Sequence, residues 1–528
     1  MSHRRVRALA VSALLGLGAI TLAPAASAPE PAAPGERPPA VAGKFYPADP
    51  TRLRAAVEAY LADALPPPAG APVRPLALLA PHAGLLFSGP IAADAYRQAT
   101  GFEVEVVVVL GTNHTVPAFP GVSVQQATAY RTPLGRIEAD TALARQLLAL
   151  GGEDGLVRFD PAAHTSEHSE EVQLPFVQVV FPHARVVTAV VGSSDAHRAA
   201  RFGELLARAL AGRRALVVAS SDLSHYPAAD AAVEADTRAL AAIATLDPAE
   251  ASRELARIER SGGPALVTAA CGQGAILAAM AAARGMGATR GRVVSYANSG
   301  DTVAGERDRV VGYGAVVFDA GPPLPRENEA KPAASVTTTA PAKSEAELSP
   351  ADRQTLLALA RRTVERWFAT GTLPLPRPEG AVLRRNQGAF VTWKQHGELR
   401  GCIGHMAEDT PLALTVARMA ISAALEDHRF PPVRPDELAG LELEISVLSP
   451  FTPIPGPGAI VVGRDGVMLD LDGHRAVFLP QVAPEQGWER DEMLGHLCAK
   501  AGLASNCWRQ GAKLSTFRAE VFGEKGPG

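Results

Sequence analysis

Cysteine is scarce in this chain, with 4 among 528 residues, and so few cannot staple a protein of that size. Stability has to come from buried apolar cores. Aromatic residues make up only 5%, so no stacking pocket announces a substrate. Charge of one sign is lacking as well: 51 basic residues against 55 acidic ones leave a net charge of −4. That balance gives no electrostatic footprint for nucleic acid. No Cys-x-x-x-Cys-x-x-Cys run occurs, so radical iron–sulfur chemistry is not in this chain. Beyond the first thirty residues no apolar run is long enough to read as a membrane span.

Composition is otherwise that of a globular protein, 47% hydrophobic and 20% charged, and at roughly 150 residues per domain the length suggests two to four domains. Residues 1–28 read as a signal peptide. Arg4, Arg5 and Arg7 precede the uncharged run from Ala8 to Ala23, and Ala26-Ser27-Ala28 offers a small-x-small cleavage site. The expectation is an exported chain, periplasmic or secreted, that touches a membrane only if this segment stays uncleaved. Residues 29–40 form a Pro-rich tail. Residues 320–349 mix Pro, Ala, Thr and charges without a hydrophobic period and read as a disordered linker. Two domains remain, 41–319 and 350–523.

In the first domain, short apolar runs read as buried parallel strands with helical patterns between them, as in a βαβ-type sheet. Leu76 to Ala80 runs into Pro81-His82-Ala83-Gly84, Val104 to Leu110 into Gly111-Thr112-Asn113-His114, and Ala215 to Ala219 into Ser220-Ser221-Asp222-Leu223-Ser224-His225. In an open α/β sheet the reactive crevice lies beyond the carboxyl ends of the strands. Three strand ends therefore deliver a His to one edge. Cys271 precedes a strong helix former, Ala275 to Arg284, and at a helix N-terminus the dipole favours its thiolate. Two imidazoles and a thiolate suit iron, copper or zinc, and three protein ligands leave coordination positions open. Taken singly, each His also reads as a loop or strand-end structural residue, Cys271 as a buried small hydrophobe, and Asp222 as a turn residue.

The blocks Ala42-Gly43-Lys44-Phe45-Tyr46, Ala80-Pro81-His82-Ala83-Gly84, Leu110-Gly111-Thr112-Asn113-His114, Glu167-His168-Ser169, Leu174-Pro175-Phe176, Ser220-Ser221-Asp222 with His225, and Cys271-Gly272 together resemble the Memo family, in the family's order. The Memo fold is similar to class III extradiol dioxygenases, whose iron is held by two His and a carboxylate. The resemblance implies that His82, His114 and Cys271 are the metal ligands, with Fe(II) the first choice, Cu(I) the next and zinc a third. Cys271 stands where the dioxygenases have a carboxylate, which weakens direct transfer of their activity. His225 resembles the dioxygenase acid/base His, with Asp222 beside it to orient or charge it. His168 reads equally as a group behind the ligands or as surface charge.

The second domain opens on a helical pattern from Asp352 to Ala369, followed by strand-like runs at Gly388 to Trp393 and Leu443 to Leu448. Leu399-Arg400-Gly401-Cys402-Ile403-Gly404, Asp427-His428-Arg429-Phe430-Pro431-Pro432, Phe478-Leu479-Pro480-Gln481 and Glu485-Gln486-Gly487-Trp488 resemble the AMMECR family, an α+β domain. That resemblance points to Arg400, Cys402, Asp427, Arg429 and Glu444 as a shared site. Read as structure alone, Cys402 is a small buried residue and Arg429 half of an ion pair with Asp427 or Glu444. Cys498 and Cys507 could pair after export.

Memo-like and AMMECR-like proteins belong to a prokaryotic grouping with a radical-SAM protein, AmmeMemoRadiSam, and this chain resembles its B and A components joined. A radical-SAM partner works in a reducing cytoplasm, which sits at odds with an exported chain. The leading expectation is a metal-dependent oxidoreductase acting on a small-molecule substrate. A non-catalytic iron or copper binder and a peptide-binding scaffold are the alternatives.

Overall fold

The computed structural model describes residues 35–322 and 347–524, apart from Ala71, Glu153, Asp154, Ser194 and Pro264. The expected signal peptide, the first part of the Pro-rich tail and most of the expected linker lie outside the described residues. The chain forms two units, an α/β unit and an α+β unit.

Runs of Val, Leu and Ala build the centre of the first unit. They form β1 (Pro75–Ala80), β2 (Val106–Thr112), β3 (Arg185–Val191) and β4 (Ala215–Ser220). These four lie side by side in the order β1-β4-β2-β3, all parallel. A parallel sheet is covered on both faces, and its residues divide between two cores by parity. Leu79, Val106, Val108, Val217 and Ala219 enter one core, whereas Leu78, Val107, Val109, Leu216 and Val218 enter the other. The flanks are not parallel to the centre throughout. β5 (Arg290–Asn298) and β6 (Gly312–Asp319) run antiparallel beyond β1, and Val122–Val124 and Val157–Arg158 complete an eight-stranded sheet on the far side. The second strand also begins and ends two residues later than its apolar run, because Gly111 and Thr112 keep ladder partners in Val190 and Val191.

Helices cover both faces. α1 (Leu85–Arg97) follows β1, while α2 (Ala196–Ala209) and α3 (Gln273–Gly285) pack on each other over the opposite core. The last residues of the Pro-rich stretch belong to this fold and are not a tail. Glu36–Arg37 pairs with Ala129 and Tyr130, and Arg37 is buried against Glu170 and Glu171 at 3.2 and 2.9 Å.

The second unit starts with α4 (Pro350–Thr370), capped by a Ser349/Asp352 box that meets two otherwise unpaired backbone donors. Its sheet has the order β8-β7-β9-β10, from β7 (Ala389–Gln395), β8 (Glu398–His405), β9 (Leu441–Leu448) and β10 (Ala519–Gly523). α5 (Leu412–Leu425) packs over this sheet, and the buried Trp393 donates its indole N–H to Ala420 O at 3.1 Å. A second four-stranded sheet carries α6 (Arg490–Lys500) with a small core of its own. In that core Cys498 and Cys507 are joined by a disulfide, as the sequence allowed.

Gly203 on α2 explains how closely α2 and α3 approach. A Cβ there would lie 2.2 Å from Ala278 O and 2.7 Å from Ala281 Cβ. Gly203→Ala must push the helices apart, and overpacking of this kind costs about 1–3 kcal/mol. Urea unfolding is the check, with a lower midpoint at an unchanged slope as the expected result.

Candidate metal centre

β1, β2 and β4 are neighbours and parallel, so their carboxyl ends open on the same edge of the sheet. His82 lies just past β1, His114 just past β2, and His225 past β4. Cys271 comes from another direction, immediately before Gly272, the N-cap of α3. One donor atom from each of His82, His114 and Cys271 lies within 4.8 Å of the others, and the Cys271 Sγ is 3.3 Å from His82 Nε2.

The hydrogen bonds behind the two rings decide which nitrogen faces the thiol. Ser220 Oγ donates its single proton to Ser169 O at 2.6 Å and accepts from Gln173 Nε2 at 2.8 Å. Its remaining contact is His82 Nδ1 at 3.1 Å. With its proton already spent, the hydroxyl can only accept there, so His82 Nδ1 carries a hydrogen and Nε2 presents a lone pair. The Gln173 amide is itself fixed, since Nε2 also donates to Pro81 O and Oε1 accepts from Tyr96. His114 Nδ1 lies 2.9 Å from Glu167 Oε1, and an ionised carboxylate only accepts. Both imidazoles therefore turn the same nitrogen, Nε2, inward.

Electrostatics follow from that packing. Burial alone pushes the Cys271 thiol up, but His82 and the side-chain contacts with His114 and His82 outweigh it and bring the group to about 6. Burial likewise opposes charge on His114, and its bonds to Cys271 and Glu167 overcome this and raise it to about 10. Without a metal, the pair holds a thiolate against an imidazolium proton. A metal ion would take the place of that proton.

The remaining first-unit residues fall around this set. His225 Nδ1 donates to Leu223 O at 2.9 Å, which aims the ring. Asp222, His225 and Cys271 form another close group of donor atoms. The hydrogen bonds of Asp222 go elsewhere, accepting from the backbone N–H of His82 and Ala83 at 2.8 and 3.3 Å, so its carboxylate shapes the His82 turn. Burial pushes the Asp222 carboxyl up against the pull of His225 and these donors. His168 stacks on His114 with ring centroids 4.5 Å apart and meets His82 edge-on at 5.4 Å. Burial, reinforced by His82 and His114, brings it down to about 3 and keeps it neutral.

In the second unit, three of the five expected residues meet. Asp427 accepts from the Cys402 backbone N–H at 2.8 Å and pairs with Arg429 at 2.7 Å, and Arg429 returns to Cys402 O at 3.0 Å. Thr392 Oγ1 donates to the Cys402 Sγ at 3.2 Å. Arg400 is engaged by Glu437 at 2.8 Å, and Glu444 by Lys394 at 2.9 Å. Arg429 thus takes Asp427 and not Glu444. Among the described residues, the groups of three donors able to hold a metal all lie in the first unit.

Sequence reasoning gave no separate role to the acidic residues behind the two rings. Glu167, Glu170 and Glu171 are fully buried, as is His164, which lies 3.1 Å from Glu170. Arg37 reaches into this layer and donates to Glu167 O at 2.6 Å. The available signal was an unusual density of charge, His-Thr-Ser-Glu-His-Ser-Glu-Glu, running straight into the apolar Leu174-Pro175-Phe176.

Residues 37–317 match the family model of Memo-like proteins, and residues 357–522 match that of AMMECR1. A MEMO1 family protein of Methanopyrus kandleri is 38% identical over 295 residues, spanning 54% of this chain and 100% of that one. Another, of Methanothermobacter thermautotrophicus, is 36% identical over 284 residues, spanning 52% and 98%. Among solved structures, an uncharacterized protein of Pyrococcus horikoshii is 38% identical, covering 33% of this chain and 91% of that one at a TM-score of 0.32.

Glu167 is the group whose removal tests the arrangement without touching His82, His114 or Cys271. Glu167→Gln is expected to weaken metal affinity about 10–100-fold, the usual effect of losing a carboxylate behind a ligating His. Anaerobic competition against a chelator measures it, with circular dichroism confirming the fold. An unchanged affinity would mean that His114 is not held through Glu167.

Proposed function

The chain belongs to the Memo family across residues 37–317 and carries an AMMECR1 domain behind it, and on that premise we propose that its first unit is a metal-dependent oxidoreductase acting on a small molecule. One observation carries the reading: Nε2 of His82, Nε2 of His114 and the Cys271 thiol converge from three separate elements, each ring fixed from behind. The donor set fits a borderline or soft metal, and three ligands leave coordination positions open. We take Fe(II) as the resident ion. Its chemistry would be to bind dioxygen and a phenolic or similar small substrate in those positions and to exchange electrons with them.

The protein's own residues have separable tasks. Ser220 and Glu167 hold the tautomers, and Asp222 holds the turn that carries His82. His225, with Nδ1 occupied by Leu223 O, has Nε2 free to take or give a substrate proton. The neutral His168, stacked on His114, limits water on that side of the ligands. The thiolate is the feature that favours Cu(I), so a copper-binding protein without turnover is the second reading. Zinc is the third ion that the donor set accommodates.

We further propose that the chain works outside the cytoplasm. The basic, apolar and small-x-small order of residues 1–28 supports this, as does the Cys498–Cys507 bridge, since disulfides persist in oxidising compartments. Among the described residues no helix is long and apolar enough to cross a membrane. A radical-SAM partner of the AmmeMemoRadiSam type would then have to meet the chain before export.

Elemental analysis of chain purified without air tests the centre. The expected result is about one equivalent of iron or copper, lost in both His82→Ala and Cys271→Ala. Protein that is metal-free and refuses added Fe(II) and Cu(I) would sink the proposal. His225→Gln separates the two readings: a catalyst keeps its metal and loses oxygen uptake with catechols, whereas a metal store shows no oxygen uptake in either protein.

A further inference from the structure

The turn that carries His225 is held in an uncommon backbone conformation. Tyr226, next to it, has φ of 74°, a left-handed value that a bulky residue keeps only where its surroundings impose it. His225 itself exchanges backbone bonds with Thr268 and Val267, and the residues on either side of it are held by the segment between β5 and β6 together with Gly312, the first residue of β6. Leu223 N donates to Gly312 O at 2.8 Å, Gly312 N to Ser224 O at 2.8 Å, and Tyr226 N to Val310 O at 2.7 Å. His225 and Val311 form an antiparallel bridge, and the Arg309 guanidinium lies 4.1 Å from the centre of the Tyr226 ring.

The outer part of this same segment is gripped by the second unit. Arg418, on α5, donates from Nη2 to Gly300 O at 2.9 Å and to Thr302 O at 3.0 Å. Val303 is buried in the second unit's core, with Ala304 and Leu86 packed against it. Ser299 then ties the gripped end to the bridging end, since Ser299 N donates to Val311 O at 2.9 Å and Val311 N to Ser299 Oγ at 3.1 Å. Hydrogen bonds linked through the Ser299-Gly300 and Val310-Val311 peptides connect α5 of one unit to the His225 turn of the other.

We propose that the second unit serves the first as a built-in clamp, in which Arg418 is a positioning residue that holds the 299–311 segment and, through it, the conformation of the His225 turn. The two units are also joined at a second place, where Arg377 pairs with Asp94 at 3.1 Å through Nη1 and Oδ1. That pair lies on α1 and has no bond to the 299–311 segment, which makes it the control for mere docking. The proposal does not depend on which metal, or whether any metal, occupies the first unit.

Amide hydrogen exchange on the full chain is the test, because the Leu223 and Tyr226 N–H groups are the ones the clamp protects. Arg418→Ala is expected to speed exchange at both by about ten-fold or more, with the amides of β4 unchanged and the melting temperature nearly so. Arg418→Lys, which keeps a donor for the two carbonyls, is expected to restore part of the protection. Arg377→Ala is expected to leave both amides protected. Wild-type protection in Arg418→Ala, or an equal rise in Arg377→Ala, would overturn the clamp. Should Arg418→Ala not fold, Val303→Ala weakens the same seat and is read in the same way.

Discussion

The two protons on the outward nitrogens of His82 and His114 are the constraint on which the site depends. Each is fixed by an acceptor that cannot turn round. Glu167 is a buried carboxylate, and Ser220 has already given its hydroxyl proton to Ser169 O. A histidine left to choose its tautomer would present a lone pair inward only part of the time. Here the choice is made before any ion arrives, and the layers behind serve to keep it made. Gln173 orients Ser220, Arg37 holds the Glu167 backbone, and Glu171 gathers the backbone of Ala40 and Val41 and the Tyr46 hydroxyl. Burying so much charge is costly unless every group is paired. The pairing is nearly complete, and its geometry converges on the back of the two rings.

The convergence of the three histidines was legible in the sequence because parallel strands impose a common direction. Once Pro75–Ala80, Val106–Thr112 and Ala215–Ser220 are neighbours, His82, His114 and His225 have to share an edge. The apolar runs announce the strands, and the polar residues after them announce the edge. Cys271 was legible for a related reason, since a residue at the start of an Ala-rich helix is placed by that helix. The supporting residues were hidden because their roles depend on contacts far away in sequence. Nothing local says that Arg37, in a Pro-rich stretch, reaches Glu170 and Glu171. Nothing local assigns Arg400 to Glu437, 37 residues on. Asp222 is the instructive case. Its nearness to His225 in sequence suggested a partnership, and a donor atom of each lies within 4.8 Å of the other; hidden from the sequence were its hydrogen bonds to the backbone of His82 and Ala83, which follow from the ends of β1 and β4 lying side by side.

The thiol gives the centre a character that a carboxylate would not. A carboxylate in its place would be charged across the whole working range, whereas Cys271 has to be pulled into its charged form by what surrounds it. Burial opposes that charge, and the two imidazoles supply it. The start of α3 adds the partial positive charge of a helix N-terminus, on which anions are favoured. Gly272 lets the thiol come this close. A Cβ at that position would lie 2.7 Å from Ser220 O, so any larger residue would lift Cys271 off the strand end that also holds His82. The glycine, the helix start and the two rings are one device.

Joining a second unit to this one has a physical consequence beyond proximity. The first unit fixes His82 and His114 from within, through the buried Ser220, Gln173 and Glu167. The His225 turn is backed in this way at Ser224, from which the buried Asp236 accepts two hydrogen bonds, while Leu223, His225 and Tyr226 bond to neighbouring segments. It lies at the sheet edge, half-exposed, and its strained neighbour Tyr226 is held by the segment between β5 and β6. That segment is a surface loop, the kind of element that opens most readily in a native protein. Covering its outer half with Val303 in a foreign core and two carbonyls on Arg418 removes its freedom at the part farthest from the turn. The rigid half of the site is therefore built into one unit. The adjustable half is completed only when both units are in place.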